Sequence, residues 1–209
     1  MLKRVYVATS NRGKLRDFST AAGLHSIDVL PIPTLSAIPP PAETGDSFEA
    51  NARLKAEYYS HYARGELILA DDSGLTVDAL DGEPGVRSAR YAGGHEYASA
   101  QDQDEANNRL VLERTKDLLE EKRGAAFVCV IAVAKDGTTL AAFQGEVRGL
   151  LLHAPRGHNG FGYDPLFFFP ELGRSFAELS NEEKLSVSHR GRAFEKFLMW
   201  FKESMAAVI

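Results

Sequence analysis

The chain has little cysteine, no long apolar run and no excess of positive charge, and each shortage removes a class of function. Cys129 is the one cysteine in 209 residues, which leaves no internal disulfide and no cysteine-based metal cluster. A chain without disulfides suits a reducing compartment, so the cytosol is expected. Cys129 lies inside the apolar run FVCVIAVA. It reads as a buried strand thiol, since reactive cysteines sit at helix starts or beside cations. No stretch of about 18 apolar residues is present, so no membrane span is expected. The start, MLKRVYVATSN, lacks the apolar centre of a signal peptide. The formal net charge of −5 argues against binding a nucleic-acid polymer, which needs a basic surface. It leaves room for a local basic pocket that takes a phosphorylated small molecule. The six histidines show no short paired spacing, which argues against a zinc site.

What is present is ordinary for a globular protein. Hydrophobic residues make up 44% and charged residues 25%, enough to bury the core of one large domain or two small lobes. Val5–Thr9 predicts a buried strand ending at Ser10-Asn11, followed by a helix over Lys14–Ala22 with Gly23 as its stop. A proline-rich loop over Pro31–Asp46 follows a short strand at Ile27–Leu30. Asp46 and Glu49 resemble a capping box opening a helix to about Ala63. Leu67–Ala70 predicts a strand that Asp71-Asp72-Ser73-Gly74 interrupts, with Leu75–Val77 extended beyond it. A long charged helix is expected over Gln101–Lys122. Asp136-Gly137 between two apolar runs predicts a β-hairpin. Ser180 and Glu183 form a second capping box, opening a helix to about Ala207. Strands alternating with helices, then a hairpin, argue for an α/β fold with a mixed sheet.

Five segments could carry chemistry. Thr9-Ser10-Asn11-Arg12-Gly13-Lys14 joins a strand to a helix start, where backbone N–H groups favour anions and Lys14 adds a full charge; the spacing is not that of a Walker A loop. Such a turn is often only a cap. Asp71-Asp72 at a strand end is costly to crowd without a nearby cation. Adjacent strand residues point to opposite faces, so one Asp can serve chemistry while the other supports the loop; an Asx-turn is the alternative. Glu43, in the flexible loop, is a candidate second carboxylate, whereas Glu49 suits a cap. Lys55, on the helix after Glu49, is open to facing either solvent or the site. Lys184, His189 and Arg190 lie close enough in sequence to clamp phosphates or a polar base, or to form a solvated basic face. The stretch GHNGFGYDP, Gly157–Pro165, combines three glycines, two aromatics and an acid directly before the apolar run Leu166–Phe169. It cannot be a stable helix or a central strand.

These segments together resemble the Ham1/RdgB-like inosine triphosphate pyrophosphatases. The matching stretches are ATSNRGKLRDF, ETGDSFEANARLKA, ADDSGLTVDALDGEPGVRSARYAG, APRGHNGFGYDPLFF and AELSNEEKLSVSHRGRA, in the family's order from about Val5 to Phe194. The resemblance implies an α/β fold with a long mixed sheet whose helices form two lobes around a central cleft, residues 1–209 being a single domain. It implies Mg²⁺-dependent hydrolysis of ITP, dITP and XTP to the monophosphate and pyrophosphate, and a cytosolic homodimer. By the same resemblance Thr9 to Lys14 hold the triphosphate, Asp72 is the catalytic acid and metal ligand, and Ser73 touches substrate. Phe161, Gly162, Tyr163 and Asp164 form the base-pocket loop, and Lys184, His189 and Arg190 complete recognition of the purine. Many relatives read E-E-T-G where this chain has Ala42-Glu43-Thr44-Gly45; if the first of those acids is the second metal carboxylate it is missing here, and Glu43, or a water, would have to serve.

The resemblance gives the glycine-rich loop a physical task. Its glycines let the backbone approach a flat ligand, and Phe161 or Tyr163 can stack on it. Backbone groups or Asp164 can read the ring edge. Donors facing the C6 oxygen of hypoxanthine or xanthine would be left unpaired by adenine, which rejects it strongly. The rivals are a Maf-like nucleotide pyrophosphatase, against which the SHR segment and the GFGYDP loop argue, and a non-catalytic nucleotide sensor, which would not need Asp71-Asp72. No role emerges for the polar segment from Gly94 to Asn107.

Overall fold

The computed structural model describes residues 3–23, 25, 27–93 and 97–206. In chain order the elements are β1 (Lys3–Val7), α1 (Arg12–Gly23), β2 (Ile27–Pro31), α2 (Phe48–Ser60), β3 (Ile68–Val77), α3 (Ala100–Thr115), β4 (Gly124–Lys135), β5 (Thr138–Leu151), β6 (Phe167–Phe169), β7 (Arg174–Ser175), α4 (Asn181–Val187) and α5 (His189–Ala206), with short 3₁₀ turns between them. Seven strands form one sheet in the order β2-β1-β3-β4-β5-β6-β7. β1 runs parallel to β2 and β3, and β6 runs antiparallel to β5 and β7. The sheet is therefore mixed, as expected. The chain divides into two compact units: Met1–Asp72, Cys129–Glu146 and Leu185–Ile209 make the first, Ser73–Val128 and Val147–Lys184 the second.

In the first unit β1, β3 and β4 carry apolar residues on both faces, as strands covered by helices must. Val5, Val7, Leu69, Cys129, Ile131 and Val133 pack with Phe18 of α1 and with Phe194, Phe197 and Phe201 of α5. The alternate residues Ile68, Ala70, Val130, Ala132 and Ala134 pack with Ala52, Ala56 and Tyr59 of α2. In the second unit the run after the glycine loop becomes β6 and its core. The Phe167 ring lies 4.6 Å from Phe127 and 4.8 Å from Phe176, centroid to centroid.

The hairpin and the second capping box form as expected. Asp136 and Gly137 have φ of 50° and 84°, the positive values that a two-residue hairpin turn demands. Ser180 and Glu183 exchange side-chain to main-chain hydrogen bonds of 2.8 and 3.2 Å.

Five expectations differ from the structure. Asp71-Asp72-Ser73-Gly74 does not interrupt a strand, because β3 runs unbroken through it for 10 residues. Ser47, not Asp46, caps α2, its hydroxyl accepting from the Ala50 N–H at 3.2 Å, and Glu49 pairs with Arg53 one turn on. That helix ends at Ser60. The charged helix stops at Thr115, where the buried Arg123 guanidinium takes the Thr115 carbonyl at 2.7 Å and so satisfies a helix-end acceptor. The last helix is two, broken at Ser188: its hydroxyl accepts from the Gly191 N–H at 3.1 Å and starts α5.

Candidate active site

In the first unit the turn after β1 is a helix cap. The Asn11 amide oxygen accepts from the Lys14 N–H at 3.1 Å, and the Thr9 hydroxyl accepts from the Asn11 N–H at 3.2 Å. Ser10, Asn11 and Arg12 are exposed, while Gly13 and Lys14 are half-buried. This fixes the start of α1 and turns Lys14 inward, its Nζ 3.0 Å from Asp71 Oδ2. The same oxygen receives Arg190 Nη2 at 3.2 Å, and Arg190 Nη1 reaches Asp17 Oδ2 at 2.7 Å. Burial alone would raise the Asp71 carboxyl; Lys14, Arg190 and Lys55 outweigh it and hold Asp71 far below the usual carboxylate range. Asp71 is thus a permanent anion that organises two cations. Cys129 lies beside it, 3.9 Å away, and burial together with the charge of Asp71 pushes the thiol up to about 12. That is the inert strand thiol the sequence suggests.

Asp72 points to the other face of β3, toward α2. Asn51 and Lys55, four residues apart and so on one side of that helix, both reach it. Lys55 Nζ is 2.7 Å from Asp72 Oδ1 and 2.9 Å from Glu43 Oε1. Asn51 Nδ2 donates to Asp72 Oδ2 at 3.3 Å, while the Asn51 amide oxygen accepts from the Gly45 N–H at 2.8 Å. Asn51 therefore ties the Glu43–Gly45 turn to the carboxylate. A Cβ on Gly45 would meet that amide oxygen at 2.7 Å, so the approach needs glycine. Burial raises the Asp72 carboxyl, and Lys55 offsets this only in part. Lys55 is raised in turn, its burial outweighed by Asp72, Asp71 and Glu43.

Asp72 and Glu43 thus face one position that already suits a cation. Two hard carboxylates suit Mg²⁺, which takes one or two protein carboxylates and fills its octahedron with water and phosphate oxygens. Among the described residues no group of three or more His, Cys, Asp or Glu offers a cage made by protein alone.

In the second unit the glycine-rich loop is closed on itself by Asp164. Its carboxylate accepts from the Phe161 N–H at 2.9 Å and pairs with Lys184 Nζ, and Lys184 lies 4.7 Å from the Phe161 ring centroid. Gly160 has φ +78°, and a Cβ there would fall 2.0 Å from the Asp164 carboxylate. Phe161 is half-buried. Tyr163 is buried, with its hydroxyl on the Ser88 carbonyl at 2.8 Å. Of the two aromatics that could stack on a ligand, Phe161 keeps an open surface while Tyr163 anchors the loop. Ser73 is half-buried on β3.

The sequence candidates therefore sort into two sets. Thr9–Lys14, Glu43, Asp72, His189 and Arg190 belong to the first unit, and Ser73, Phe161–Asp164 and Lys184 to the second. His189 is buried. Asn51, which holds the Asp72 carboxylate, and Asp71, the anchor of Lys14 and Arg190, had no separate assignment in the sequence. The i,i+4 spacing of Asn51 and Lys55 on a face otherwise filled by Ala52, Ala56 and Tyr59 was the available signal.

A model of the Ham1 family matches residues 5–200. A dITP/XTP pyrophosphatase of Acidobacterium capsulatum is 51% identical over 95% of this chain and 98% of its own length. One of Geobacter sulfurreducens is 47% identical over 92% of this chain and 93% of its own. The structure of the Staphylococcus aureus Ham1 protein superposes with a TM-score of 0.80 at 38% identity, covering 97% of this chain and all of that one.

Proposed function

This chain belongs to the Ham1 family, and from that premise we propose that it hydrolyses non-standard purine nucleoside triphosphates, ITP, dITP and XTP, to the monophosphate and pyrophosphate. The observation that carries the reading is the Asp72 carboxylate, buried at the centre of β3, raised by that burial and ringed by Asn51, Lys55 and Glu43. A carboxylate with a raised pKa and two bound partners is suited to orient a water and take its proton.

The chain's own residues supply three things to hydrolysis at phosphorus. Lys14 and the helix start behind it neutralise triphosphate charge. Asp72 receives the proton of the attacking water, with Asn51 and Lys55 fixing its two oxygens. Phe161, backed by Lys184 and Asp164, presents a ring and main-chain groups to the purine. Asp72 and Glu43 would hold Mg²⁺, which when bound supplies charge neutralisation to the phosphates. Arg190, tied to Asp71, serves by holding Lys14's partner in place. The homodimer and the cytosolic residence that the resemblance implies belong to the same proposal. Among the described residues no helix is long and apolar enough to cross a membrane.

The test is hydrolysis of ITP, XTP, GTP and ATP side by side, with and without Mg²⁺, assaying pyrophosphate and orthophosphate separately. Mg²⁺-dependent pyrophosphate from ITP and XTP, with little from GTP or ATP, is expected. Orthophosphate, or equal rates on all four, would overturn the reading and bring the Maf-like alternative forward.

A further inference from the structure

The polar start of α3 has no part in the chemistry described so far, yet it holds the glycine-rich loop. The Gly162 N–H donates to Asp104 Oδ2 at 2.7 Å, and Asn108 Nδ2 donates to the Gly162 carbonyl at 2.9 Å. Asp104 and Asn108 are four apart and share one face of the helix. Both main-chain polar groups of one loop residue, the one directly after Phe161, are thus taken by a single helix. Gly162 holds φ +62°, so this pair of bonds also fixes a backbone turn that only glycine adopts at low cost.

Three further observations make this a built clamp. A cavity of about 850 Å³, lined by Asp104, Asn108, Gly157, His158, Gly160 and Phe161 among others, opens beside these bonds. Tyr163 and Asp164 hold the rest of the loop, and the two bonds from α3 add the placing of Gly162 itself. The helix carrying them is itself fixed: Asn107 accepts from the Ala92 N–H at 2.8 Å and donates to the Ala89 carbonyl at 3.2 Å. Finally, Asn108 is buried, and among the described residues its amide oxygen has no hydrogen-bond partner. The bond it donates to Gly162 orients it.

We infer that Asp104 and Asn108 are positioning residues for base selection: they fix the Phe161 ring and its neighbouring main-chain groups at the height a purine edge requires. The inference rests on the reading of this loop as the base pocket. Releasing the clamp leaves Asp72 and Lys14 untouched, so it changes how the base is held and not the chemical step.

The experiment measures ITP and GTP kinetics for the wild-type chain, Asp104→Ala, Asp104→Asn and Asn108→Leu, together with hydrogen exchange at the Gly162 amide. Asp104→Ala is expected to raise KM for ITP by about tenfold, to keep kcat within about threefold, to lower the ITP-to-GTP preference and to speed exchange at Gly162. Asp104→Asn keeps an acceptor oxygen and is expected to recover most of the wild-type KM. Asn108→Leu removes the donor at similar volume and is expected to repeat the KM effect more weakly. Unchanged exchange at Gly162 in Asp104→Ala overturns the clamp. Faster exchange with unchanged KM and unchanged preference overturns its role in base selection. A loss of kcat at constant KM does the same. A wild-type chain with no preference for ITP over ATP would instead overturn the reading of the loop itself.

Discussion

Asp71 and Asp72 are neighbours in sequence with opposite tasks, and the pleat of β3 is what separates them. Asp71 enters the layer between the sheet and helices α1 and α5, where Lys14 and Arg190 compensate its burial. Asp72 enters the α2 side and keeps one moderately buried cation, which Glu43 shares. Two substitutions of the same kind should therefore have different consequences. Asp72→Asn removes the proton acceptor and is expected to lower kcat by about 10²–10⁴-fold. Its melting temperature should move by only a few degrees, because Lys55 retains Glu43. Asp71→Asn leaves the buried Arg190 and Lys14 facing a neutral amide and is expected to cost about 3–5 kcal/mol in urea unfolding. Equal destabilisation by the two variants would contradict this division, and so would retained turnover in Asp72→Asn.

At the scale of elements, the sequence was most legible where local chemistry decides the structure. Asp136-Gly137 needed only its own backbone preferences to announce a hairpin, and Ser180 with Glu183 needed only each other. It was least legible where a polar side chain does the packing. Sequence pattern located α3 but overran its end, because its buried residues are Asn107, Asn108 and Thr115 beside Val111. Apolar periodicity cannot find Arg123, fully buried on three main-chain carbonyls. The acidic pair suggested a break in β3 because the cations that neutralise it come from helices remote in sequence. The same limit hid the junction of α4 and α5, where a close approach matters more than propensity. A Cβ at Gly191 would fall 1.9 Å from the Leu185 carbonyl oxygen, a backbone atom that cannot swing aside. Gly191→Ala is therefore expected to destabilise at the upper end of the range for overpacking, about 3 kcal/mol, although alanine is the better helix former. A stabilised Gly191→Ala in urea unfolding would mean that the junction is free to straighten.

At the scale of the whole molecule, neither compact unit is a continuous piece of chain. The chain passes between them after Asp72, Val128, Glu146 and Lys184, and β3, β4 and β5 each contribute residues to both. A strand whose two ends belong to different units cannot lose its ladder at one end without loosening the other, so one cooperative transition is expected. Two built-in reporters can check this. Cys129 is the only thiol and Trp200 the only tryptophan. Cys129 is fully buried beside the Asp71 anion, its thiol pushed up to about 12. It should resist thiol reagents at neutral pH in the native protein and react only on unfolding. The midpoints in urea of Cys129 labelling, Trp200 fluorescence and far-ultraviolet circular dichroism should then coincide. An additional dichroism step that neither reporter follows would show Ser73–Val128 and Val147–Lys184 unfolding on their own. A native Cys129 that reacts readily would show β4 opening at its centre while the rest of the sheet stays intact.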